Sequence, residues 1–180
     1  MNSGHPRGWH PGSAPSKWME RFAFLVPEGG VVLDLACGAG RHTRLFAGRG
    51  HQVVAVDRDL RGIDDLVDNR LVEPKELDLE DGGPFPLAGR TFDAVVVANY
   101  LYRPILADLV EAVAPGGALL YETFALGNEK FGSPSNPEFL LRRGELLDIA
   151  RPHLEVVAYE DLEDAEPKRS IVQRIAAVRR

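Results

Sequence analysis

Apolar residues along the chain gather into runs of strand length, separated by stretches in which they recur every three or four positions. Ser16 precedes KWMERFAFLV, where Trp18, Phe22 and Leu25 share a helical face before Pro27, Gly29 and Gly30 end the pattern. The strand VVLDLA follows, then a helix near 41–49, the strand VVAVD, a helix near 60–69 and a weak strand near 75–79. The rhythm continues with FDAVVVAN, a helix from about 104 to 114, the turn APGG, the strand ALLYETF, a long loop and a helix from about 137 to 150. Two runs near LEVVAYED and SIVQRIAAV close the chain, and the few residues between them, 162–169, show no helical pattern, so an antiparallel pair is expected. Runs such as VVV and VVAV are continuous rather than alternating, which suits central parallel strands covered by helices on both faces. The expected fold is α/β: a single doubly wound, seven-stranded sheet with a terminal antiparallel strand pair over residues 16–180, after a flexible leader at 1–15 rich in Gly, Pro, Ser and His.

Composition narrows the classes. A length of 180 residues, 44% hydrophobic and 27% charged, is that of one ordinary globular domain. The net charge of -6 opposes tight, unspecific binding to nucleic acid or an anionic membrane, both of which need a cationic field. Cys37 is the single cysteine, and MNSGHPRGWH has neither the apolar core nor the cleavage site of a signal peptide. With no apolar run near the roughly 20 residues that span a bilayer, a cytoplasmic protein without a membrane partner is expected. The five histidines are scattered, none pairs with another at i, i+4, and no metal site is expected.

The stretch LDLACGAGRH at 33–42 puts a G-x-G turn at the end of the first strand, where glycines let the backbone bend sharply and approach a bound molecule. In open α/β sheets a ligand lies beyond the carboxyl ends of the strands, where the strand order reverses. Asp57 ends the second strand, and a carboxylate there can accept hydrogen bonds from both hydroxyls of a ribose. The nicotinamide fingerprint G-x-G-x-x-G needs a glycine where Thr43 stands, and Asp34 inside the first strand is misplaced beside a pyrophosphate. Asp34 suits the ammonium of an amino-acid-bearing ligand, directly or through water, which favours S-adenosylmethionine.

With Asp34 in strand one, Gly38 and Gly40 in the turn, Asp57 ending strand two, Asp78 after strand three, FDAVVVAN as strand four and PGG opening strand five, residues 31–124 resemble a class I S-adenosylmethionine-dependent methyltransferase. The short length, Arg41 after the turn and FLLRRGEL at 139–146 resemble the small bacterial methyltransferases of the tellurite-resistance type. The resemblance implies a Rossmann-like fold, S-adenosylmethionine as cofactor and S-adenosylhomocysteine as product. It implies that Gly38, Ala39 and Gly40 pass beneath the cofactor, that Asp34 serves its ammonium, and that Asp57 holds the ribose. Asp78 and Leu79 are then expected to flank the adenine and Asn99 to meet the methionine end, while Arg41 either reaches the cofactor carboxylate or stays on the helix surface.

Methyl transfer is an in-line displacement at an activated sulfonium, so holding the acceptor in line and excluding water can suffice, and no catalytic motif is obligatory. Candidates for acceptor contacts or a general base lie past strands four and five: Tyr100, Tyr102 and Arg103 in ANYLYR, Glu122 and Thr123 in LLYETF. Packing at a strand-to-helix corner is the competing role for the tyrosines, and a solvated or capping carboxylate for Glu122. The loop at 125–138 is long enough for a lid or substrate wall, with Phe131 either projecting into the pocket or anchoring the loop. Asn136 and Pro137 come too late for the Asn/Asp-Pro-Pro-aromatic motif of amino-directed nucleic-acid methyltransferases, which belongs where Asn99, Tyr100 and Leu101 stand. A small-molecule acceptor is expected, nucleic acid is not, and the chain is expected to be a monomer or homodimer. A non-catalytic S-adenosylmethionine-binding sensor or partner subunit, and a methyltransferase acting on RNA or protein, are the alternatives. Asp57→Ala is expected to weaken cofactor binding at least ~10-fold with the fold intact.

Overall fold

The computed structural model describes residues 14–165 and 168–180. Seven strands, β1 Val31–Leu35, β2 Gln52–Asp57, β3 Val72–Glu76, β4 Phe92–Ala98, β5 Val113–Phe124, β6 Glu155–Asp164 and β7 Ser170–Val178, form one sheet in the order β3-β2-β1-β4-β5-β7-β6. Pairings from β3 across to β5 are parallel, and β7 runs antiparallel to both β5 and β6, as the closing pattern predicts. Helices α1 Lys17–Phe22 and α2 Arg41–Gly48 cover one face, and α3 Leu106–Glu111 and α4 Glu145–Ala150 the other.

Each face has its own core. Leu33, Leu35, Val95 and Val97 pack with α3 and α4, whereas Val32, Val53, Ala94 and Val96 pack with α1 and α2. Both sides of the central strands are therefore buried, which is why VVV and VVAV show no alternation. Ser16 caps α1, its Oγ accepting from the Trp18 N–H at 3.1 Å, and the Trp18 indole donates to the Ile175 carbonyl at 3.2 Å, fixing α1 to β7.

Several predicted elements move. The weak strand expected at 75–79 lies at Val72–Glu76; its charged VEPKE is tolerated because β3 is a sheet edge, where Pro74 costs no ladder bond on its outer side. The helix expected at 60–69 is a pair of 3₁₀ turns, Leu60–Leu66, broken at Ile63 with φ -127° and ψ 18°. Contact with the glycine turn explains this: a Cβ on Gly62 would come within 2.6 Å of the Gly38 carbonyl, and one on Gly40 within 2.4 Å of Ile63 Cγ2. The helices expected at 104–114 and 137–150 shorten to α3 and α4, each preceded by a 3₁₀ turn. The APGG turn is a bulge inside β5, between Val113 paired with Phe92 and Ala118 paired with Ala94.

The loop after β5 closes on itself through a bridge between Ala125 and Leu141. Asn128 pins its interior, donating from Nδ2 to the Pro134 carbonyl at 3.0 Å and accepting at Oδ1 from the Ile171 N–H at 3.2 Å. Arg103 braces the far end: its guanidinium grips both oxygens of Glu145 at 2.7 and 2.9 Å and donates to the carbonyls of Glu138 and Leu140. The leader expected at 1–15 lies outside the described residues except for Ala14 and Pro15. Among the described residues, no helix is long and apolar enough to cross a membrane.

Candidate functional site

The strand order reverses between β1 and β4, neighbours in space whose successors β2 and β5 lie on opposite sides. One residue beyond each strand, Ala36 (φ 54°) and Asn99 (φ 56°) occupy the left-handed region, the two non-glycine residues to do so among those described. Such backbone costs roughly 1 kcal/mol or more per residue and marks the place where both strand ends are bent away from the sheet. Gly38 and Gly40 continue the bend at φ 53° and 71°. The turn is tied on both flanks: the Cys37 N–H donates to the Val56 carbonyl at 3.0 Å, and Arg44 donates to the Ala39 carbonyl at 2.6 Å.

Asp57 is built into this turn. Its Oδ2 accepts from the Gly38 N–H at 2.9 Å and its Oδ1 from the Asp59 N–H at 3.1 Å. Each oxygen retains a lone pair, so the carboxylate still has acceptor capacity. It opens on a surface cleft where Asp57, Asp78 and Leu79 meet Ala36, Glu80 and Tyr100. Leu79 is buried, while Asp78 is exposed and accepts from the Glu80 N–H at 2.9 Å. The Tyr100 hydroxyl is buried beside Glu80 without a hydrogen bond of good geometry, and burial, then the Glu80 carboxylate, pushes its pKa up, so it is a neutral donor at the cleft wall. Tyr100 therefore stands with the ribose and base candidates rather than with Glu122. Tyr102 packs against the core on the α3 side.

On the α2 side of the same strand ends lies a row of charge. Asp34 is buried, and Thr43 donates to its Oδ2 at 2.6 Å. Burial raises the Asp34 pKa to about 6 despite the Thr43 hydroxyl and the Arg41 charge. Arg41 is partly buried at the start of α2; desolvation lowers its pKa, opposed by the charges of Glu122 and Asp34. Glu122 at the end of β5 stands opposite Arg174 of β7, which stands opposite Glu160 of β6, with Arg174 Nε 2.6 Å from Glu122 Oε2 and Nη1 3.1 Å from Glu160 Oε2. Arg174 also pairs with Asp164.

Other candidates have structural partners. Burial holds His42 neutral, with its pKa lowered to about 3, and its Nε2 accepts from the Ser16 N–H at 3.1 Å. Burial and the charges of Asp34 and Asp57 push the Cys37 thiol pKa up, leaving a small packed side chain. Phe131 is half-buried beneath the Arg169 guanidinium, 4.8 Å from its ring centre, which anchors the loop tip to the β6–β7 turn. Sequence reasoning missed Thr43 as a partner of Asp34, Gly62 against the turn, and Arg174 behind Glu122. Thr43 and Gly62 are visible only as a departure from a fingerprint and a helix-weakening glycine, and Arg174 only once β5 and β7 are paired.

No curated protein matches the chain. Among solved structures, TehB from Haemophilus influenzae is similar with a TM-score of 0.69 at 19% identity, over 88% of this chain and 60% of that one. The chain thus spans 60% of the length of that protein. A TehB-like SAM-dependent methyltransferase from Corynebacterium glutamicum has a TM-score of 0.62 at 21% identity, over 91% and 87% of the two chains. Burkholderia thailandensis 1,6-didemethyltoxoflavin-N1-methyltransferase, solved with 1,6-didemethyltoxoflavin and S-adenosylhomocysteine bound, has 0.66 at 17% identity, over 90% and 76%. Residues 32–117 match the family described as methyltransferase domain. Residues 32–117 are thus similar to a methyltransferase domain, and the chain shares the fold of these solved structures.

Proposed function

We propose that the chain methylates a small molecule, gripping the cofactor across the β1–β4 switch point with the nucleoside in the Asp57 cleft and the methionine end against Asp34. The observation that carries this reading is the split of the site into two chemically distinct halves around one glycine turn. On one side a carboxylate with spare acceptor capacity, a buried leucine and a neutral hydroxyl surround an open cleft; on the other a buried carboxylate stands near a guanidinium. S-adenosylmethionine supplies a methyl group already activated on a sulfonium.

The chain's own residues then bind and orient. Asp57 takes the ribose hydroxyls, and Asp78 the exocyclic amine of a base covered by Leu79. Gly38, Ala39 and Gly40 let the turn approach closely, Asp34 takes the ammonium, Arg41 the carboxylate, and Asn99 borders the methionine end. Glu122, held by Arg174 at the end of β5, is the candidate to accept a proton from an acceptor that carries one. The net charge of -6 favours a small acceptor over a polyanion, and the Burkholderia neighbour, by its name, acts on 1,6-didemethyltoxoflavin.

Calorimetric titration with S-adenosylmethionine, S-adenosylhomocysteine and NAD in parallel tests the reading. Micromolar binding of the first two with none of NAD is expected, and no binding of the sulfonium pair overturns it. Tyr100→Phe removes that hydroxyl and should weaken S-adenosylhomocysteine about 3- to 10-fold, while leaving the melting temperature of the ligand-free protein level or slightly higher. Unchanged affinity would return Tyr100 to a packing role.

A further inference from the structure

Resting on the cofactor reading above, we propose that Thr43 is a positioning residue: its hydroxyl, donating to Asp34 Oδ2 at 2.6 Å, orients the buried carboxylate toward the cofactor ammonium and favours its ionised form. Thr43 is fully buried in the first turn of α2, and Asp34 is 2% exposed, so water does not replace the hydroxyl if it is removed, and the Thr43 backbone N–H is the donor that position 43 then leaves to the carboxylate. The strand partners of Asp34, Ala55 on β2 and Val96 on β4, bring no polar side chain to it. The titratable and charged groups around it are Arg41 on α2, which favours the charge, Asp57 on β2, which opposes it, and the neutral Cys37 thiol in the turn. Threonine has two accessible rotamers in a helix, and the bond to Asp34 Oδ2 selects the one that aims the hydroxyl at the carboxylate. Position 43 is also where a dinucleotide fold keeps a glycine, so a hydroxyl there gives the turn a donor that a glycine lacks.

The test is S-adenosylhomocysteine affinity measured from pH 5 to 9 for the wild type, Thr43→Val and Thr43→Ser. The wild type should lose affinity as pH falls through about 6, the pKa of Asp34. Hydrogen bonds to charged groups are worth roughly tenfold or more in an equilibrium, so Thr43→Val, which keeps shape and loses the donor, should move that limb up by about one to two pH units. Near pH 6.5 its affinity then falls roughly tenfold, while at pH 9 it approaches the wild type. Thr43→Ser should keep the wild-type profile. A Thr43→Val profile that superimposes on the wild type, or a Thr43→Ser profile that follows Thr43→Val, overturns the proposal. Carbon-detected NMR titration of the Asp34 carboxyl in the ligand-free protein separates this from the cofactor reading. If no variant binds, the cofactor reading fails, yet an Asp34 titration unmoved by Thr43→Val still sinks the role of Thr43. Should Thr43→Val not fold, Thr43→Ala is read in the same two ways.

Discussion

Asp34→Asn should stabilise the ligand-free protein at pH 8 and at the same time remove most of its affinity for the cofactor. The carboxyl is 2% exposed and its pKa is raised from 3.8 to about 6, chiefly by burial. A raised carboxyl pKa means that the folded chain holds the proton more tightly than the unfolded one. The associated stability is therefore fully present below pH 3.8 and is lost as pH rises through about 6. At pH 8 the cost of keeping Asp34 charged is on the order of 3 kcal/mol. Asparagine has the same shape and still accepts from Thr43, but it brings an amide N–H₂ without an assigned acceptor, which offsets part of the gain. A net increase of about 1–2 kcal/mol is expected, or several degrees in melting temperature for a domain of this size. At pH 5 the folded carboxyl is mostly protonated but the unfolded one is charged, so about half of that cost remains; the unpaired amide roughly offsets it, and the two proteins should melt within a degree or so. S-adenosylhomocysteine should meanwhile bind at least ~100-fold more weakly at pH 8, because its ammonium loses a charged, desolvated partner. Melting curves at pH 5 and 8 with calorimetry at pH 8 check both halves. A variant less stable at pH 8 would mean that Arg41 and Thr43 more than compensate the burial, and unchanged affinity would take the ammonium away from Asp34.

That trade between stability and binding explains why some of the site was legible in the chain and some was not. Asp34 and Asp57 stand out because a carboxylate inside or ending an apolar strand violates the local pattern, and such violations gather at functional sites. The parallel core strands were legible for the complementary reason: burial on both faces erases alternation. Edge strand β3 and the segment at 60–66 were misplaced because their sequences are governed by neighbours rather than by their own periodicity. Gly62 and Ile63 serve the backbone of the glycine turn, and no regular α-helix survives that demand. Tyr100 and Arg103 show the same limit. Both lie in one short run after β4, yet Tyr100 lines the cleft while Arg103 braces the segment before α4. The Glu122–Arg174 contact needs the pairing of β5 with β7 across 52 positions of sequence, and a single chain without that register does not display it.

Asp57→Ala should lose both cofactor affinity and stability, which revises the expectation of an intact fold. Had Asp57 only awaited a ribose, truncation would leave the ligand-free protein unchanged. Its Oδ2 instead accepts from the Gly38 N–H and its Oδ1 from the Asp59 N–H, so truncation strands two backbone donors at a residue that is 8% exposed. Each such loss costs about 1–3 kcal/mol, and partial access of water at the cleft brings the expected total to roughly 2–4 kcal/mol. Affinity for S-adenosylhomocysteine should fall by more than the ~10-fold assigned to the ribose contacts, since the turn beneath the cofactor loosens as well. Asp57→Asn separates the two roles. Its single carbonyl oxygen can accept from one of the two N–H groups, and its N–H₂ then faces the other, donor against donor. Ranked by stability, wild type should exceed Asp57→Asn, with Asp57→Ala close to or below it, as read by urea denaturation of the ligand-free proteins. Equal midpoints for all three would remove Asp57 from the turn. Equal affinities would remove it from the ribose, and with it the reason to place the nucleoside in this cleft.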